Sequence, residues 1–291
     1  MAISSLIQRK MRCVIRRRLA IAFAAALLMS AASARAATAV TSAPRFAHVV
    51  VVVMENHSAA EIQGSAAAPY INSLMRSGAN FTNSYAVTYP SEPNYLALFS
   101  GSTQGVVDDS CPHSFAGLNL GAQLRAAART FVGYSESMPS AGYTGCQSGA
   151  YARKHNPWVY FTDLPSSVNQ TMATFPTSFS SLPTVSVVVP NLHNDMHSGT
   201  IAQGDAWLKA HLSAYVSWAK VNNSILVVTW DSDDHTAHNK VATVIVGAHV
   251  RVGGYAEALN HYRLLRTIQS MYGLSALGSS ANYAPVTDVW N

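Results

Sequence analysis

Three clusters of acidic, amide and imidazole side chains are the strongest chemical feature of this sequence. They occupy residues 55–57, 190–197 and 231–235, and each directly follows a run of apolar, largely β-branched residues. Carboxylate, amide and imidazole groups are the ligands that divalent cations take in proteins. If the clusters meet in the fold, the sequence predicts a metal site assembled from distant parts of the chain.

Each cluster also has a purely structural interpretation. Glu55 and Asn56 form either a metal-ligand pair or, through Asn56, the cap of a following helix. The three aspartates of residues 231–234 repel one another, which a bound cation would relieve, but a solvated acidic turn has the same composition. Asp195 and His197 can bind a metal, neutralise phosphate oxygens or protonate a leaving group, whereas an isolated histidine more often only donates a hydrogen bond.

Two further segments offer a cationic clamp and a nucleophile. Residues 153–157 are compact and basic in a chain with few cations, so they predict either a phosphate clamp or a surface turn before a proline. Thr88 and Ser91 are hydroxyl nucleophiles beside two prolines, in a segment that we expect to be a stiff loop. Activation by a metal suits this hydroxyl better than a serine-hydrolase triad, because the segment lacks a Gly-x-Ser-x-Gly motif.

The apolar runs and the stretches between them predict the elements that position these groups. Continuous β-branched runs are typical of parallel strands buried on both faces, and alternation with helices predicts an α/β fold. Strands are predicted at residues 48–54, 185–189, 225–229 and 242–246, and helices at residues 68–77, 118–128, 204–221 and 261–272. Ligands of open α/β sheets bind beyond the carboxyl ends of the strands, so the three clusters should share one edge.

Two regions stand apart from this alternation. Residues 133–181 are rich in Ser, Thr, Gly and Pro and predict a long irregular excursion, which is uncommon without a function. His261 begins the last predicted helix, where it can help to hold a phosphate at the helix amino terminus or can only cap the helix.

The first 36 residues predict a secretory signal peptide, with a basic start, an apolar run at residues 19–32 and small-x-small cleavage sites. The alternative is an uncleaved anchor, which the short apolar run disfavours. Residues 37–291 then form a single domain with 12 basic and 14 acidic residues, a formal charge of −2. This balance argues against nucleic acid as a partner, and no later apolar run is long enough to span a membrane.

The cysteines agree with export from the cytoplasm. Cys111 and Cys146 are the pair left after residues 1–36 are removed, and an even pair in an oxidising compartment predicts a disulfide. Metal-binding thiols are the alternative, but no close Cys/His spacing surrounds either residue. We therefore expect a secreted, extracytoplasmic protein.

Seven motifs in order resemble the phosphoesterase family of acid phosphatases and bacterial phospholipases C. They are Val-Val-Val-Met-Glu-Asn-His, Tyr-Pro-Ser-Glu-Pro-Asn-Tyr, Tyr-Ala-Arg-Lys-His-Asn-Pro-Trp, Asn-Asp-Met-His-Ser-Gly, Gly-Asp-Ala-Trp-Leu, Val-Thr-Trp-Asp-Ser-Asp-Asp and His-Tyr-Arg-Leu-Leu-Arg-Thr. The resemblance as a whole extends from about residue 46 to the carboxyl terminus. The resemblance implies an alkaline-phosphatase-like fold, with a mainly parallel sheet flanked by helices in a single domain.

The resemblance also implies roles for individual residues. Its metal ligands correspond to Glu55, Asn56 and Asp231, for a divalent ion such as Ca or Mg. Its hydroxyl nucleophile corresponds to Ser91, with Thr88 as the reserve. The positions that it uses around the phosphate correspond to the Lys154-His155-Asn156 segment, Asp195, His197 and His261.

One position departs from the family pattern. Where the family has Asp-Glu, this chain has Asp231-Ser232, and a serine hydroxyl is a weaker ligand for a hard cation than a carboxylate. Either Asp233 replaces the missing ligand, or the affinity for the metal is reduced.

Together these features predict a phosphomonoesterase that works through a phosphoserine intermediate. Ser91 attacks phosphorus, Asn94, Lys154 and His155 neutralise the phosphate oxygens, and His197 protonates the leaving group. The resemblance suggests phosphatidylinositol 3-phosphate, a phosphoinositide head group at a membrane surface, as the substrate. The alternatives are a phospholipase C acting on a phosphodiester and a catalytically weak phosphoinositide-binding protein.

Overall fold

The computed structural model of the protein describes residues 43–291. The predicted signal peptide, residues 1–36, lies outside this range, and so does the start of the predicted domain at residue 37. Within the described part of the chain, no helix has the length and apolar character needed to cross a membrane.

An eight-stranded sheet forms the centre of the domain. Its strands are β1 (His48–Met54), β2 (Ala79–Phe81), β4 (Phe131–Ser135), β7 (Asn169–Thr171), β8 (Val185–Val189), β9 (Ser224–Trp230), β10 (Thr243–Gly247) and β11 (Gly253–Tyr255). They lie in the order β11-β2-β10-β9-β1-β8-β4-β7. All of the parallel pairs run in one direction, and β10 is antiparallel to both of its neighbours. Two small two-stranded sheets pair β3 (Ser84–Tyr85) with β12 (Leu259–Asn260), and β5 (Gln147–Ser148) with β6 (Tyr151–Ala152).

Helices cover both faces of the sheet, which makes a three-layer α/β domain. They are α1 (Ala59–Ile62), α2 (Pro69–Ser77), α3 (Ser91–Ser100), α4 (Leu120–Ala126), α5 (Ile201–Ala219) and α6 (His261–Met271). Val49, Val51 and Val53 of β1 pack in one apolar cluster with α3, α4 and α6, while Val50 and Val52 pack in a second cluster with α1, α2 and α5. Burial on both faces explains why the strand sequence is continuously apolar, and the predicted fold is confirmed.

The 133–181 excursion is more regular than its composition predicts. It contributes two strands to the sheet. β4, which begins just before the excursion, pairs with β8, and β7 pairs with the other side of β4. Trp158 packs against β4, where Gly133 leaves room for the indole. The prediction of an irregular segment was wrong here because strands of three to five residues carry too few positions to show a period.

The segment around Ser91 is also a helix rather than the loop that we expected. Ser91 is the first residue of α3, and every residue of this helix is buried. Pro93 fits because the first turn of a helix has no intrahelical partner for its N–H groups. The helix places Ser91 and Tyr95 four positions apart, on one face.

The predicted disulfide is present. Cys111 and Cys146 are joined, and their Cα atoms lie 5.8 Å apart. The bond ties the segment that follows α3 to the β5–β6 hairpin, at the side of the domain where the candidate site lies.

Candidate active site

The carboxyl ends of β1, β8 and β9 bring the three polar clusters together, as the strand order predicts. The Glu55 N–H donates to the carbonyl of Asp195 at 2.8 Å, and the Asp231 N–H donates to the carbonyl of Met54 at 2.9 Å. Parallel pairing of the strands fixes this register. All three acidic side chains are buried at this edge.

Glu55 is the centre of the site. The Ser91 hydroxyl donates to its Oε2 at 3.0 Å, and the Tyr95 hydroxyl donates a short hydrogen bond to its Oε1. The same Oε1 lies 3.2 Å from Nε2 of His155. The predicted nucleophile therefore contacts a predicted metal ligand directly.

His155 lies between the carboxylates of β1 and β8. Its Nδ1 is 3.5 Å from Oδ2 of Asp195, and its ring stacks on Tyr95 with centroids 5.0 Å apart. Ligand atoms of Glu55, His155 and Asp195 all lie within 4.8 Å of one another. This trio overlaps the predicted ligand set only at Glu55, because we had expected the other two residues to contact phosphate.

The electrostatics of the metal-free site favour a cation. Burial, and then the charges of Asp231 and Asp195, raise the pKa of Glu55 well above its usual range. Burial raises the pKa of Asp195 and that of Asp231 to about 7, although a hydrogen bond from the Asn56 N–H partly offsets the rise at Asp231. Burial, and then Lys154, lower the pKa of His155 to about 3, which keeps the imidazole neutral.

A divalent cation fits these residues. Three buried carboxylates repel one another in low dielectric, and Asp195 Oδ2 has no hydrogen-bond partner among residues 43–291. A neutral imidazole with carboxylate oxygens is a suitable donor set for a divalent metal. Glu55, Asp195, Asp231 and His155 would hold such an ion, and its identity stays open.

Asn56 and Ser232 complete this edge. Asn56 has a positive φ of 50° and donates its N–H to Oδ1 of Asp231 at 3.3 Å. The Ser232 hydroxyl lies 3.4 Å from Asn56 Oδ1 and 3.3 Å from Asp231 Oδ2. Ser232 therefore occupies the position of the missing carboxylate among the ligands, and the ligand role of Asn56 stays a prediction.

Asp233 is engaged elsewhere. Its carboxylate accepts hydrogen bonds from the N–H groups of His235, Ala237 and Asn239 and from the Tyr89 hydroxyl. Burial tends to raise the pKa of Asp233, but the Tyr89 bond and the N–H groups outweigh it and leave this pKa lowered. Asp233 stabilises the turn after β9, and nothing in its surroundings draws it towards Glu55.

Lys154 and His197 lie on the open side of the site. Lys154 Nζ donates to Asp109 Oδ2 at 2.7 Å, and the hydrogen bond and charge of Asp109 raise the Lys154 pKa against the effect of burial. His197 donates its N–H to Asp195 Oδ1 at 2.7 Å, and its ring centroid is 6.1 Å from that of His155. Burial, and then Lys154, lower the pKa of His197.

Asn94 and His261 support the site from behind. Asn94 accepts from the N–H groups of Val87 and Thr88 and donates to two carbonyls of the same turn, so its amide is fully used in shaping the segment before Ser91. His261 donates from Nε2 to the carbonyl of Asp231 at 2.7 Å, and burial lowers its pKa to about 4. Their substrate-binding roles stay predictions.

Two residues of the site escaped the sequence analysis. Tyr95 contacts both Glu55 and His155, and Asp109 pairs with Lys154. The spacing of Ser91 and Tyr95 could have revealed the first, had that segment been predicted as a helix. Asp109 gave no local signal, because its partner is 45 residues away.

Comparisons with known proteins identify the family. The sequence profile of the Phosphoesterase family matches residues 65–275. The chain belongs to the Phosphoesterase family. It is 51% identical over 255 residues to a protein named phosphatidylinositol-3-phosphatase from Mycobacterium tuberculosis, covering 87% of this chain and 85% of that protein. It is 28% identical to an acid phosphatase of Aspergillus fumigatus, covering 70% of this chain and 51% of the fungal protein.

Solved structures of this fold agree with the family. A protein of the alkaline phosphatase superfamily from Vibrio parahaemolyticus has a TM-score of 0.57 at 14% identity, covering 85% of this chain and 72% of that one. A sulfatase from Pseudoalteromonas has a TM-score of 0.55 at 10% identity, covering 83% and 71%. The predicted family and fold are confirmed, and so is the predicted enzyme class, a phosphoric monoester hydrolase.

Proposed function

We propose that this phosphoesterase hydrolyses the phosphomonoester of phosphatidylinositol 3-phosphate and related inositol phosphates, with Ser91 as nucleophile. The contact that carries the proposal is the 3.0 Å hydrogen bond from the Ser91 hydroxyl to Glu55, at the edge where the buried acids of three strands meet. The similarity to the mycobacterial phosphatidylinositol-3-phosphatase supports the substrate.

Ser91 is well placed to attack phosphorus. Its hydroxyl proton is directed at Glu55 Oε2, and this carboxylate can accept the proton when it is ionised. The new bond joins Ser91 Oγ to phosphorus, and the bond from phosphorus to the leaving oxygen breaks. A bound divalent cation would supply positive charge beside the nucleophile and the phosphate oxygens.

Lys154 and His197 act on the other side of the phosphate. The Lys154 ammonium offers charge-assisted hydrogen bonds to phosphate oxygens. His197 donates a proton to the leaving oxygen. Because burial lowers the pKa of His197, its protonated form is populated in acid, which supports activity at acidic pH.

We also propose that the enzyme works outside the cytoplasm. The Cys111–Cys146 disulfide supports an oxidising compartment, and the basic and apolar pattern of residues 1–36 supports export. A head group at a membrane surface would then be reached from solution. Mass spectrometry of the exported protein tests this proposal, because an amino terminus near residue 37 is expected and a retained segment contradicts it.

Hydrolysis of p-nitrophenyl phosphate tests the catalytic proposal. We expect chelator to abolish the activity and added divalent cation to restore it, and we expect Ser91→Ala to lower kcat by about 10³-fold or more. Acid quench with labelled substrate should leave phosphate on Ser91. Thr88→Ala is the matched control, because Thr88 donates to the Tyr89 carbonyl rather than to an acid of the site.

Four outcomes would contradict the proposal. Full activity in Ser91→Ala removes Ser91 from the nucleophile role, and loss in Thr88→Ala alone assigns that role to Thr88. Faster hydrolysis of bis-p-nitrophenyl phosphate than of the monoester would make the enzyme a phosphodiesterase. Tight binding of vesicles containing phosphatidylinositol 3-phosphate, without turnover in the presence of metal, would make the protein a binder.

A further inference from the structure

Asp109 links two parts of the candidate active site through the two oxygens of one carboxylate. Its Oδ1 accepts a hydrogen bond from the Glu92 N–H at 3.0 Å, and its Oδ2 accepts one from Lys154 Nζ at 2.7 Å. Glu92 directly follows the predicted nucleophile Ser91, and Lys154 is the cation that we expect to bind the phosphate. A single side chain therefore joins the segment that carries the attacking oxygen to the cation that faces the phosphate.

The first of these bonds caps the helix that carries the nucleophile. Helix α3 follows Pro90, whose ring offers no side-chain acceptor to the free N–H groups of the first turn. Asp109, which is 17 residues further along the chain, supplies an acceptor to Glu92. The helix dipole also favours a carboxylate at the amino terminus of a helix. The position of Asp109 is thus fixed relative to Ser91.

The second bond restricts a side chain that is otherwise flexible. A lysine ammonium is a point charge on a four-carbon chain with three donors, so it has no fixed direction of its own. The bond to Asp109 occupies one of these donors and leaves two for phosphate oxygens. Only 30% of the Asp109 side chain and 19% of the Lys154 side chain are exposed, so solvent screens this pair less than a surface ion pair.

The backbones that carry the ion pair are also joined to each other. Asp109 is two residues before Cys111, and the disulfide connects Cys111 to Cys146. The Arg153 N–H donates to the carbonyl of Cys146 at 2.9 Å, and Arg153 directly precedes Lys154. The separation of Asp109 and Lys154 is thus limited by a covalent bond and a backbone hydrogen bond in addition to the ion pair itself.

We propose that Asp109 is a positioning residue, which aligns the Lys154 ammonium with the phosphate that Ser91 attacks. Asp109 acts through Lys154 and through the first turn of α3. The attacking oxygen and the charge that neutralises the phosphate oxygens therefore keep one relative geometry. This inference rests on the proposed function and adds to it the residue that orients the cation of the site.

Asp109→Asn separates the two bonds of Asp109. The amide oxygen can still accept from the Glu92 N–H, whereas the charge that pairs with Lys154 is lost. In the metal-supplemented full-length enzyme we expect kcat/KM for p-nitrophenyl phosphate to fall about tenfold or more, because a charge-assisted hydrogen bond to the phosphate loses its alignment. The melting temperature should change by less than about 3 °C. Asp108→Asn is the matched control and should keep wild-type activity, because this neighbouring acid bonds Ser110 instead.

A double-mutant cycle tests whether Asp109 acts through the lysine. Lys154→Met keeps the length of the side chain and removes its charge, so we expect kcat/KM to fall about 100-fold. The variant that combines Asp109→Asn with Lys154→Met should match Lys154→Met within about twofold, because no ammonium is left to orient. A purely structural role of Asp109 would instead multiply the two losses to about 1,000-fold.

Asp109→Ala distinguishes the helix cap from the ion pair. This change removes the acceptor for the Glu92 N–H as well, so its melting temperature should be about 2–4 °C below that of Asp109→Asn. Its kcat/KM should stay close to that of Asp109→Asn. Stability then follows the cap, and activity follows the contact with Lys154.

Two results would overturn the inference: wild-type kcat/KM in Asp109→Asn, and losses that multiply in the double variant. Failure of the proposed function gives different results. In that case either the wild type does not hydrolyse p-nitrophenyl phosphate or Lys154→Met keeps full activity. Lys154 then does not act on a phosphate, and the role of Asp109 falls with it.

Discussion

At the scale of single residues, the site concentrates negative charge where water is excluded. Glu55, Asp195 and Asp231 are buried together, and Lys154, a nearby cation, is already paired with Asp109. Ionised carboxylates in such a setting favour either protonation or a metal. Protons and metal therefore compete for the same oxygens.

This competition predicts a pH-dependent metal affinity. In the metal-free protein the pKa of Asp195 and that of Asp231 are about 7, so both groups carry protons below that pH and are ionised above it. We expect the metal dissociation constant to rise about tenfold per pH unit, for each displaced proton, as the pH falls from about 7. Calorimetry in buffers of different ionisation enthalpy measures both the affinity and the protons released.

Asp234, an acidic residue in the turn after β9, provides the control for this prediction. Asp234 is exposed and bonds Thr236, so Asp234→Asn should leave the pH dependence as it is in the wild type. A dissociation constant that stays flat below pH 7 would show that these carboxylates do not hold the metal.

Ser232 is the position where the metal affinity can be changed most directly. Its hydroxyl lies beside Asn56 Oδ1 and Asp231 Oδ2, so Ser232→Asp adds a fourth buried acid to the cluster. In chelator we expect the free energy of unfolding to fall by about 3 kcal/mol, because the added charge lacks a partner. A divalent cation should raise the melting temperature of Ser232→Asp by more than it raises that of the wild type, as measured by thermal unfolding.

Ser232→Ala separates charge from the loss of the hydroxyl. It removes two long hydrogen bonds and adds no charge. The rise in melting temperature that metal causes should therefore be the same for Ser232→Ala as for the wild type. If Ser232→Asp gains no more from metal than Ser232→Ala does, Ser232 does not face the ion.

At the scale of elements, the packing of Trp158 on β4 positions the imidazole of the site. Trp158 is three residues after His155, and its Nε1 donates to Asn169 Oδ1 of β7 at 2.8 Å. The indole also covers Gly133 of β4. The long excursion is thereby anchored to the sheet at a point close to the site.

Gly133→Ala should loosen this anchor. An added Cβ would lie 2.1 Å from Cε2 of Trp158, so either the indole or β4 must shift. We expect a loss of about 1–3 kcal/mol in urea unfolding, together with a lower kcat as His155 moves. Gly253→Ala is the matched control in a strand, because its nearest neighbour atom is 3.6 Å away. Equal stability of the two variants would contradict this packing.

Helix α3 both packs in the core and positions the predicted nucleophile. Its buried residues Leu96 and Phe99 fill the core, and Ser91 and Tyr95 reach Glu55 from the same helix. The turn before it is fixed by Asn94. The nucleophile is therefore held by packing rather than by a mobile loop.

At the scale of the whole molecule, the disulfide closes a long loop beside the site. It joins residues separated by 35 positions. Cross-linking a loop of this length lowers the entropy of the unfolded chain. We expect the double variant Cys111→Ser, Cys146→Ser to lose about 3–4 kcal/mol of unfolding free energy, as measured in urea.

Reductant provides the internal control for this prediction. It should lower the melting temperature of the wild type and leave that of the double variant unchanged. If wild type and variant unfold at the same urea concentration, the cross-link does not contribute to stability.

The patterns in the sequence were enough to predict the central strands of the sheet and the edge at which the acidic residues meet. Uninterrupted β-branched runs require burial on both faces, and polar residues directly after such runs must lie at the strand ends. For that reason Glu55, Asp195 and Asp231 could be expected together, and the ordered motifs identified the family. Short strands such as β7 escaped prediction because too few positions show a period, and the helix at residues 91–100 escaped because all of its residues are buried and no polar face marks a helical period.

The different surroundings of those residues become visible only in the folded protein. The fold directs the Asp233 carboxylate to the N–H groups of its own turn, and it brings His155 between Glu55 and Asp195. It also pairs Lys154 with Asp109, 45 residues away in the chain. A sequence lists which groups can bind a metal or a phosphate, but hydrogen-bond partners and burial select among them, and both depend on segments far apart in the chain.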